Sequence, residues 1–390
     1  MPHLPAWLAG RGRSPLRAPD AKAERPPFAV SLAGLGPARW SARDPATLAR
    51  EGYAKNAVVY RCVRMVAEAA ASIPLAVFDR GARAADHPLQ RLLDRPSPDA
   101  SGVDLLEGWL AGLQIAGSAY LQAQGSDDGP PTELYPLRAD RVAPVVGADG
   151  WPAAWSYDTG AGRPITLPRQ EVLQLTLYNP LDDLAGQSPL TACAAAVDVH
   201  NAGSAWNKAL LDNSARPSGA LVYGGAERLT PEQFAHLKAE LGEAHAGAAA
   251  AGRPLLLDGG LEWKPMALTP AEMDFAELKH SAAREIALAF GVPPQLLGIP
   301  GDATYSNYKE ATSAFWRATV APLAGKAARA LEGWLAPRFE TAAGALAIRP
   351  DLDAVPAFAD DRAALWARLD AASFLTPDEK RRMAGLGDAP

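Results

Sequence analysis

The sequence runs to 390 residues, 48% apolar and 21% charged, with 38 Lys and Arg against 44 Asp and Glu for a net charge of −6. That length supports two or three cores, and 35 prolines with 34 glycines exclude a uniform helical array. The acidic balance argues against tight DNA binding, because cations that neutralise phosphates supply most non-specific affinity, but it is compatible with a protein that lets DNA slide past.

Residues 1–45 are rich in Pro, Arg and Ala without a sustained period. They read as a flexible arm, mildly basic through Arg11, Arg13, Arg17 and Arg25. The first apolar stretch is broken by Pro5 and Gly10, and its arginines follow it instead of preceding it, unlike a signal peptide. No 20-residue apolar run occurs, so no transmembrane helix is expected.

From Asn56 the pattern is helical: Val59, Val63, Val66, Ala70 and Ile73 recur at three- to four-residue spacing, and Pro74 stops them. PLAVFDR then predicts a strand, HPLQRLLD (87–94) a short helix and 103–116 another helix. Six short β-runs follow: SAYLQAQ, TELYPL, RVAPVV, AAWSYDT, PITL and EVLQLTLY. Turn clusters such as GSDDGPP and GADG separate them, which predicts an antiparallel sheet. The class is therefore α+β.

Ser188-Pro189 opens an Ala-rich helix that runs to about Asn213. RPSGALVYGG reads as a strand, and Thr230-Pro231-Glu232-Gln233 as a capping box whose helix ends near His245. Strands RPLLLDG and LEWKPM follow a Gly/Ala loop over 246–252. A second box, Thr269-Pro270-Ala271-Glu272, opens a helix with Phe275, Leu278, Ala282, Ile286 and Ala289 on one face, ending at Gly291. A small strand–helix–strand–strand unit, 215–268, is thus inserted between two helices that must run out and back side by side. Each spans roughly 35 Å at 1.5 Å per residue.

GVPPQLLGIPGDATYSNYK leads into a long helix from about Asn307, with Asn307 expected to cap it through Glu310. Its stripe is Phe315, Leu323, Ala327, Leu331 and Trp334, and Pro322 should kink it. A β-segment, ALAIRP, and a helical pair split at Thr376-Pro377-Asp378-Glu379 close the chain.

Catalytic patterns are sparse. Ser306-Asn307-Tyr308-Lys309 matches S-x-x-K, but no K-T-G or S-D-N accompanies it. The six histidines show no i, i+4 pair, so no metal site is expected. The acidic pairs Asp127-Asp128, Asp182-Asp183 and Asp360-Asp361 fit turns or a helix start. LAGLGPAR lacks the third glycine of G-x-G-x-x-G, and no P-loop occurs. Cys62 and Cys193 sit in apolar helical patterns and read as buried free thiols, as suits a reducing cytosol.

Six stretches in this order resemble the portal proteins of long-tailed double-stranded DNA phages, including those of prophages and gene transfer agents. They are HPLQRLLDRPSP (87–98), GQSPL (186–190), NSARPSGAL (213–221), AFGVPPQLLG (289–298), SNYKEATSAFW (306–316) and FLTPDEKRRMAGL (374–386). The resemblance covers about residues 50–388 and implies a portal fold. Residues 46–188 with 310–355 would be the wing, 189–214 and 269–291 the two-helix stem, and 215–268 the α/β clip. Residues 297–309 would be the tunnel loop beside a kinked long helix, and 356–390 a short helical crown. The arm, 1–45, has no counterpart.

It further implies a dodecameric ring at one capsid vertex, the channel for DNA packaging and exit and the head-to-tail connection point, with no catalytic role and no cofactor. The major capsid protein, the terminase large subunit, a head–tail adaptor and double-stranded DNA would be its partners, and the virion its location. On that reading Thr304, Tyr305, Ser306, Asn307, Tyr308 and Lys309 line the channel. The hydroxyl and amide groups offer phosphate contacts without sequence information, and the two tyrosines contact either DNA or a neighbouring subunit. Glu227, Arg228, Glu232, His236 and Glu240 are the candidate clip contacts, or an ordinary solvated face. Trp206, Leu210 and Phe275 are the candidate stem interface. Two other readings stand beside it: a penicillin-binding-like serine acyl-transferase using Ser306 and Lys309, and another ring-forming particle component such as an adaptor. Adaptors are generally shorter and lack such an insertion.

Overall fold

The computed structural model describes residues 41–125, 129–212, 219–223, 230–233, 235–236, 261–265, 275–300, 305–339 and 346–385. At 210–212, 219–223, 261–265, 275 and 305–306 it describes the backbone alone. The first 40 residues of the expected arm lie outside these ranges, but its last five do not. Ser41 Oγ donates to Asp198 Oδ1 at 2.6 Å, and Arg43 stands 3.6 Å from Asp198 Oδ2. Asp44 then caps α1 (Pro45–Thr47), which continues as a π-helical segment, Leu48–Ala54. Residues 41–45 are therefore anchored to the long Ala-rich helix and not part of a flexible arm. The helical turns over 45–54 have no counterpart in the sequence reading.

Helix α2 (Ala57–Ala71) starts where Asn56 accepts from the Val58 and Val59 amides. Strand β1 (Leu75–Asp79) pairs with β2 (Ala82–Arg83) and, antiparallel, with the distant β11 (Leu346–Pro350), so that Val77 opposes Ile348. Helix α3 (Pro88–Asp94) completes the other edge of β1. Gln90 Oε1 accepts from the Val77 amide at 2.8 Å and its Nε2 donates to the Leu75 carbonyl at 3.0 Å. One side-chain amide thus stands in for the backbone of a missing strand, which gives the Gln of HPLQRLLD a structural job.

A Ser101–Asp104 capping box opens α4 (Gly102–Ala116), and left-handed Gly117 (φ 76°) ends it. The six β-runs all form, but as two three-stranded antiparallel sheets instead of one. One has the order β4 (Pro131–Leu137), β3 (Ser118–Gly125), β8 (Val172–Thr176). The other has β5 (Val142–Val146), β6 (Pro152–Tyr157), β7 (Ile165–Pro168). They meet in a small core of Tyr120, Trp155, Leu167 and Val172, where Tyr120 meets Trp155 edge-on with centroids 5.1 Å apart.

The Ser188-Pro189 helix is broken once. It forms α5 (Pro189–Ala192), turns at Cys193, and resumes as α6 (Ala194–Asp212). Strands β9 (Gly219–Tyr223) and β10 (Leu261–Pro265) pair antiparallel, and α7 (Phe275–Ala289) follows. Helix α7 returns along α6: Gly203 faces Lys279, while Cys193, earlier in α6's run, lies near Glu285. The expected out-and-back pair is therefore present. Its buried face is Ala282, Ala283, Ile286, Ala287 and Phe290, whereas Leu278, expected on that face, is 42% exposed. The predicted strand 253–259 and the box at 269–272 fall outside the described residues.

The last long helix runs α8 (Tyr305–Phe315), a π-helical segment Trp316–Val320, then α9 (Ala321–Phe339). Pro322 has no amide to donate and its ring would strike the carbonyl four residues back. A wider π turn just before it relieves that clash, so the expected kink site is a π segment. The stripe holds, with Leu331 fully buried. A second proline, Pro337, stands in the final turns. Helices α10 (Ala359–Ala371) and α11 (Pro377–Met383) close the chain, the latter behind a Thr376–Glu379 capping box. One large core joins α2, α4, α7, α9, β1 and β11.

Candidate functional site

The segment after α7 is built for a fixed exit. Left-handed Gly291 (φ 64°) lets the Val292 amide donate back to Ala287 O at 2.9 Å, and Thr319 Oγ1 donates to Gly291 O at 2.7 Å. A β-carbon at 291 would stand 2.6 Å from that hydroxyl, so the close approach requires glycine. Pro294–Leu297 form a 3-10 turn ended by Gly298 (φ 69°), and Arg284 donates to Pro300 O at 2.5 Å. The chain up to residue 300 is thereby held against α7 and the π segment.

Gly301 and Thr304 lie outside the described residues. Tyr305–Lys309, expected in the loop, are the first turns of α8. Asn307 is therefore inside the helix and not its cap. Asn307, Tyr308 and Lys309 are all exposed, and of Tyr305 and Ser306 the backbone alone is described.

Lys309 Nζ stands 3.0 Å from Asp360 Oδ2, both side chains well exposed. Two turns on, Arg317 grips Asp361 in a two-pronged pair, Nε to Oδ2 at 3.1 Å and Nη2 to Oδ1 at 2.5 Å. That pairing lowers the Asp361 carboxyl below its ordinary range and raises the guanidinium of Arg317. The two acids sit in the first turn of α10, where negative charge also suits the helix dipole. Trp316 packs edge-on against Phe358 beside them. The pair read as simple helix-start chemistry thus also ties α10 to α8.

This arrangement weakens the acyl-transferase reading. A lysine base sheds its proton in a desolvated pocket, and Lys309 is 69% exposed and ion-paired. Burial pushes the Cys62 and Cys193 thiols up to about 12, so neither is a nucleophile at neutral pH. Among the described residues, no group of three or more His, Cys, Asp or Glu could hold a metal, and no helix is long and apolar enough to cross a membrane.

The remaining candidates scatter. Trp206 is half-buried on α6, while Leu210 and Phe275 are described by backbone only. Glu232 and His236 lie exposed among the helical residues 231–233 and 235–236 behind the expected Thr230–Gln233 box, both of whose bonds are present. Glu227, Arg228 and Glu240 lie outside the described residues.

Sequence reasoning missed the joint that carries these helices. Asn56 is 1% exposed; its Nδ2 reaches Asn201 Oδ1 at 3.0 Å and His200 Nδ1 at 3.1 Å, and Asn201 donates to Glu51 O at 2.8 Å. The helix start at Asn56 was legible, but its partners are 144 and 145 residues away in the chain. At the other end of the joint, Ser188 Oγ accepts from Leu190 N at 2.9 Å and donates to Gln114 O at 2.8 Å.

The family model for the phage portal protein matches residues 57–385. A chain in the neck of an empty GTA particle computed with C6 symmetry is 47% identical, with a TM-score of 0.70 over 92% of this chain and 98% of that one. A chain in the neck of a native GTA particle computed with C12 symmetry is 46% identical, with a TM-score of 0.67 over 90% and 95%. A protein of Rickettsia bellii is 40% identical over 345 residues, 86% of this chain and 88% of its own length.

Proposed function

The chain belongs to the phage portal protein family, ring-forming proteins of DNA packaging, and from that premise we propose that about twelve copies close into one ring at a capsid vertex. DNA enters through that ring under the terminase motor and leaves through it to the tail. The observation that carries this reading is the α6–α7 pair with β9–β10 inserted between its strands of chain. Two helices that pack only along one face leave the other to a neighbour, which Leu278 at 42% and Leu288 at 78% exposure support. We assign 46–188 with 310–355 to the wing, 189–214 and 269–291 to the stem, 215–268 to the clip and 356–390 to the crown. The clip would meet the terminase large subunit first and a head–tail adaptor later, with Glu232 and His236 among the exposed residues available. The major capsid protein would surround the wing.

The channel surface would be the segment 298–304 with the exposed first turns of α8. Its polar side chains give weak contacts, and Asp360 shares the charge of Lys309. A ring that held phosphates strongly would release many counterions and stall the duplex, so a half-neutralised lysine suits passage. Negative-stain microscopy with mass measurement should give rings of about twelve subunits with a central hole; a monodisperse compact monomer would sink the reading. Lys309→Ala should leave ring mass and melting temperature near wild type, since an exposed pair contributes little, while lowering DNA packaged per particle. Loss of rings instead would make Lys309 an interface residue.

A further inference from the structure

The last two helices cannot hold themselves. Of α10 only Leu369 is buried, and of α11 nothing is, while Trp366 is 47%, Met383 58% and Phe374 85% exposed. Helices of 13 and 7 residues are marginal without a packed face. The ties of α10 to α8 are the exposed ion pairs of Asp360 and Asp361 and the Trp316–Phe358 contact at its N-terminal end. At the far end, Lys380 Nζ donates to Asp370 O at 2.9 Å, which holds α11 to α10.

That far end presents a hollow and an exposed aromatic ring that does not line it. The hollow is an open surface depression of about 310 Å³, lined by Trp366, Leu369, Asp370, Lys380, Arg381 and Ala384. Arg381 Nε is buried in its wall without a hydrogen-bond partner, and an aromatic face laid on that guanidinium would gain cation–π attraction. The exposed aromatic is Phe374, in the link between α10 and α11; at 85% exposure it does not enter the hollow of its own copy. Phe374 is not among the residues that line the hollow, so seating it in the hollow of another copy pairs two different patches, the head-to-tail type of contact that closes a ring.

We propose that Phe374 of each copy seats in the Trp366–Arg381–Ala384 hollow of the next copy, so that the C-terminal helices form a continuous belt around the ring. This rests on the ring reading above. The belt supplies the apolar burial that the isolated pair lacks, and it makes the occupant a second copy of this chain.

The test uses rings of the full-length double variant Phe374→Cys/Ala384→Cys, their mass measured first, then treated with a short bis-maleimide. Both native cysteines are buried, so the label reports on the introduced pair. A denaturing gel should show a ladder of covalent multimers beyond the dimer, while either single variant stays monomeric. Dimers from Phe374→Cys alone would mean a self-facing contact and overturn the proposal. Rings of the right mass without a ladder would overturn it and leave the ring reading standing, with another partner seated there. Absence of rings from the wild-type chain would remove both.

Discussion

Gly186→Ala should unfold the junction between the β4–β3–β8 sheet and the α5–α6 helices, at a cost of about 4 kcal/mol or more, the range of exceptional single substitutions. A β-carbon at 186 would stand 2.0 Å from the Gly117 carbonyl oxygen and 2.8 Å from the Leu177 amide nitrogen. Both obstacles are backbone, so no side chain can swing aside. Nor can the backbone retreat. Leu177 N donates to Gly117 O at 2.8 Å, Gly186 N donates to Ser118 Oγ at 2.8 Å, and Gly117 is fixed in the left-handed region as the cap of α4. The reverse change, Gly117→Ala, meets Gly186 O at 2.2 Å and adds the strain of φ 76°. Gly112→Ala is the control: its β-carbon meets nothing nearer than 4.0 Å, and in a helix interior alanine should stabilise by about 1 kcal/mol. Urea titration at unchanged slope reads all three. A Gly186→Ala midpoint equal to wild type would show that the joint is looser than its contacts.

This junction marks what the sequence disclosed and what it hid. GQSPL was legible as a helix start because Ser and Pro at those positions act on their own neighbours. Its glycine was not, because the obstacle is a carbonyl 69 residues earlier in the chain. The same division runs through the molecule. Capping boxes at Thr230 and Thr376, the six strand runs between α4 and α5 and the opening of the Ala-rich helix are local chemistry, and they formed where expected. The pairing of β1 with β11 and the split of six strands into two sheets depend on partners far away in sequence.

The candidate channel residues show the limit most clearly. GDATYSNYK reads as a loop whose helix opens at about Asn307, yet the helix already includes Tyr305, before the apolar stripe that signals it. Nothing local tells Lys309 that Asp360 awaits it 51 residues on. The π segment, by contrast, was foreshadowed by Pro322. The proline announced a disturbance, and its form followed from where the displaced carbonyl could go.

Asn56→Ala should cost about 3 kcal/mol. Loss of a helix N-cap accounts for about 1, and the rest comes from buried partners left unsatisfied, at about 1–3. Asn56 accepts from Val58 N and Val59 N and donates toward Asn201 and His200, joining the start of α2 to α6. Because Asn201 in turn holds Glu51 O, the π-helical segment 48–54 should loosen with it. Burial, and then the charge of Lys279, lower the pKa of His200. The unfolded chain therefore binds that proton more readily than the folded one. The stability His200 contributes is complete above the ordinary histidine value of about 6.5 and is lost as pH falls through the depressed one. Asn56→Asp separates the two roles. It keeps the acceptor for the α2 amides but sets a carboxylate against His200, which favours the imidazolium, so the acid-side loss should shrink or reverse. Denaturant midpoints between pH 8 and 5 read this directly. A wild-type curve that is flat below about 6.5 would remove the acid sensitivity, and one unchanged by His200→Gln would assign it to other groups, leaving Asn56 a cap and a tie to Asn201.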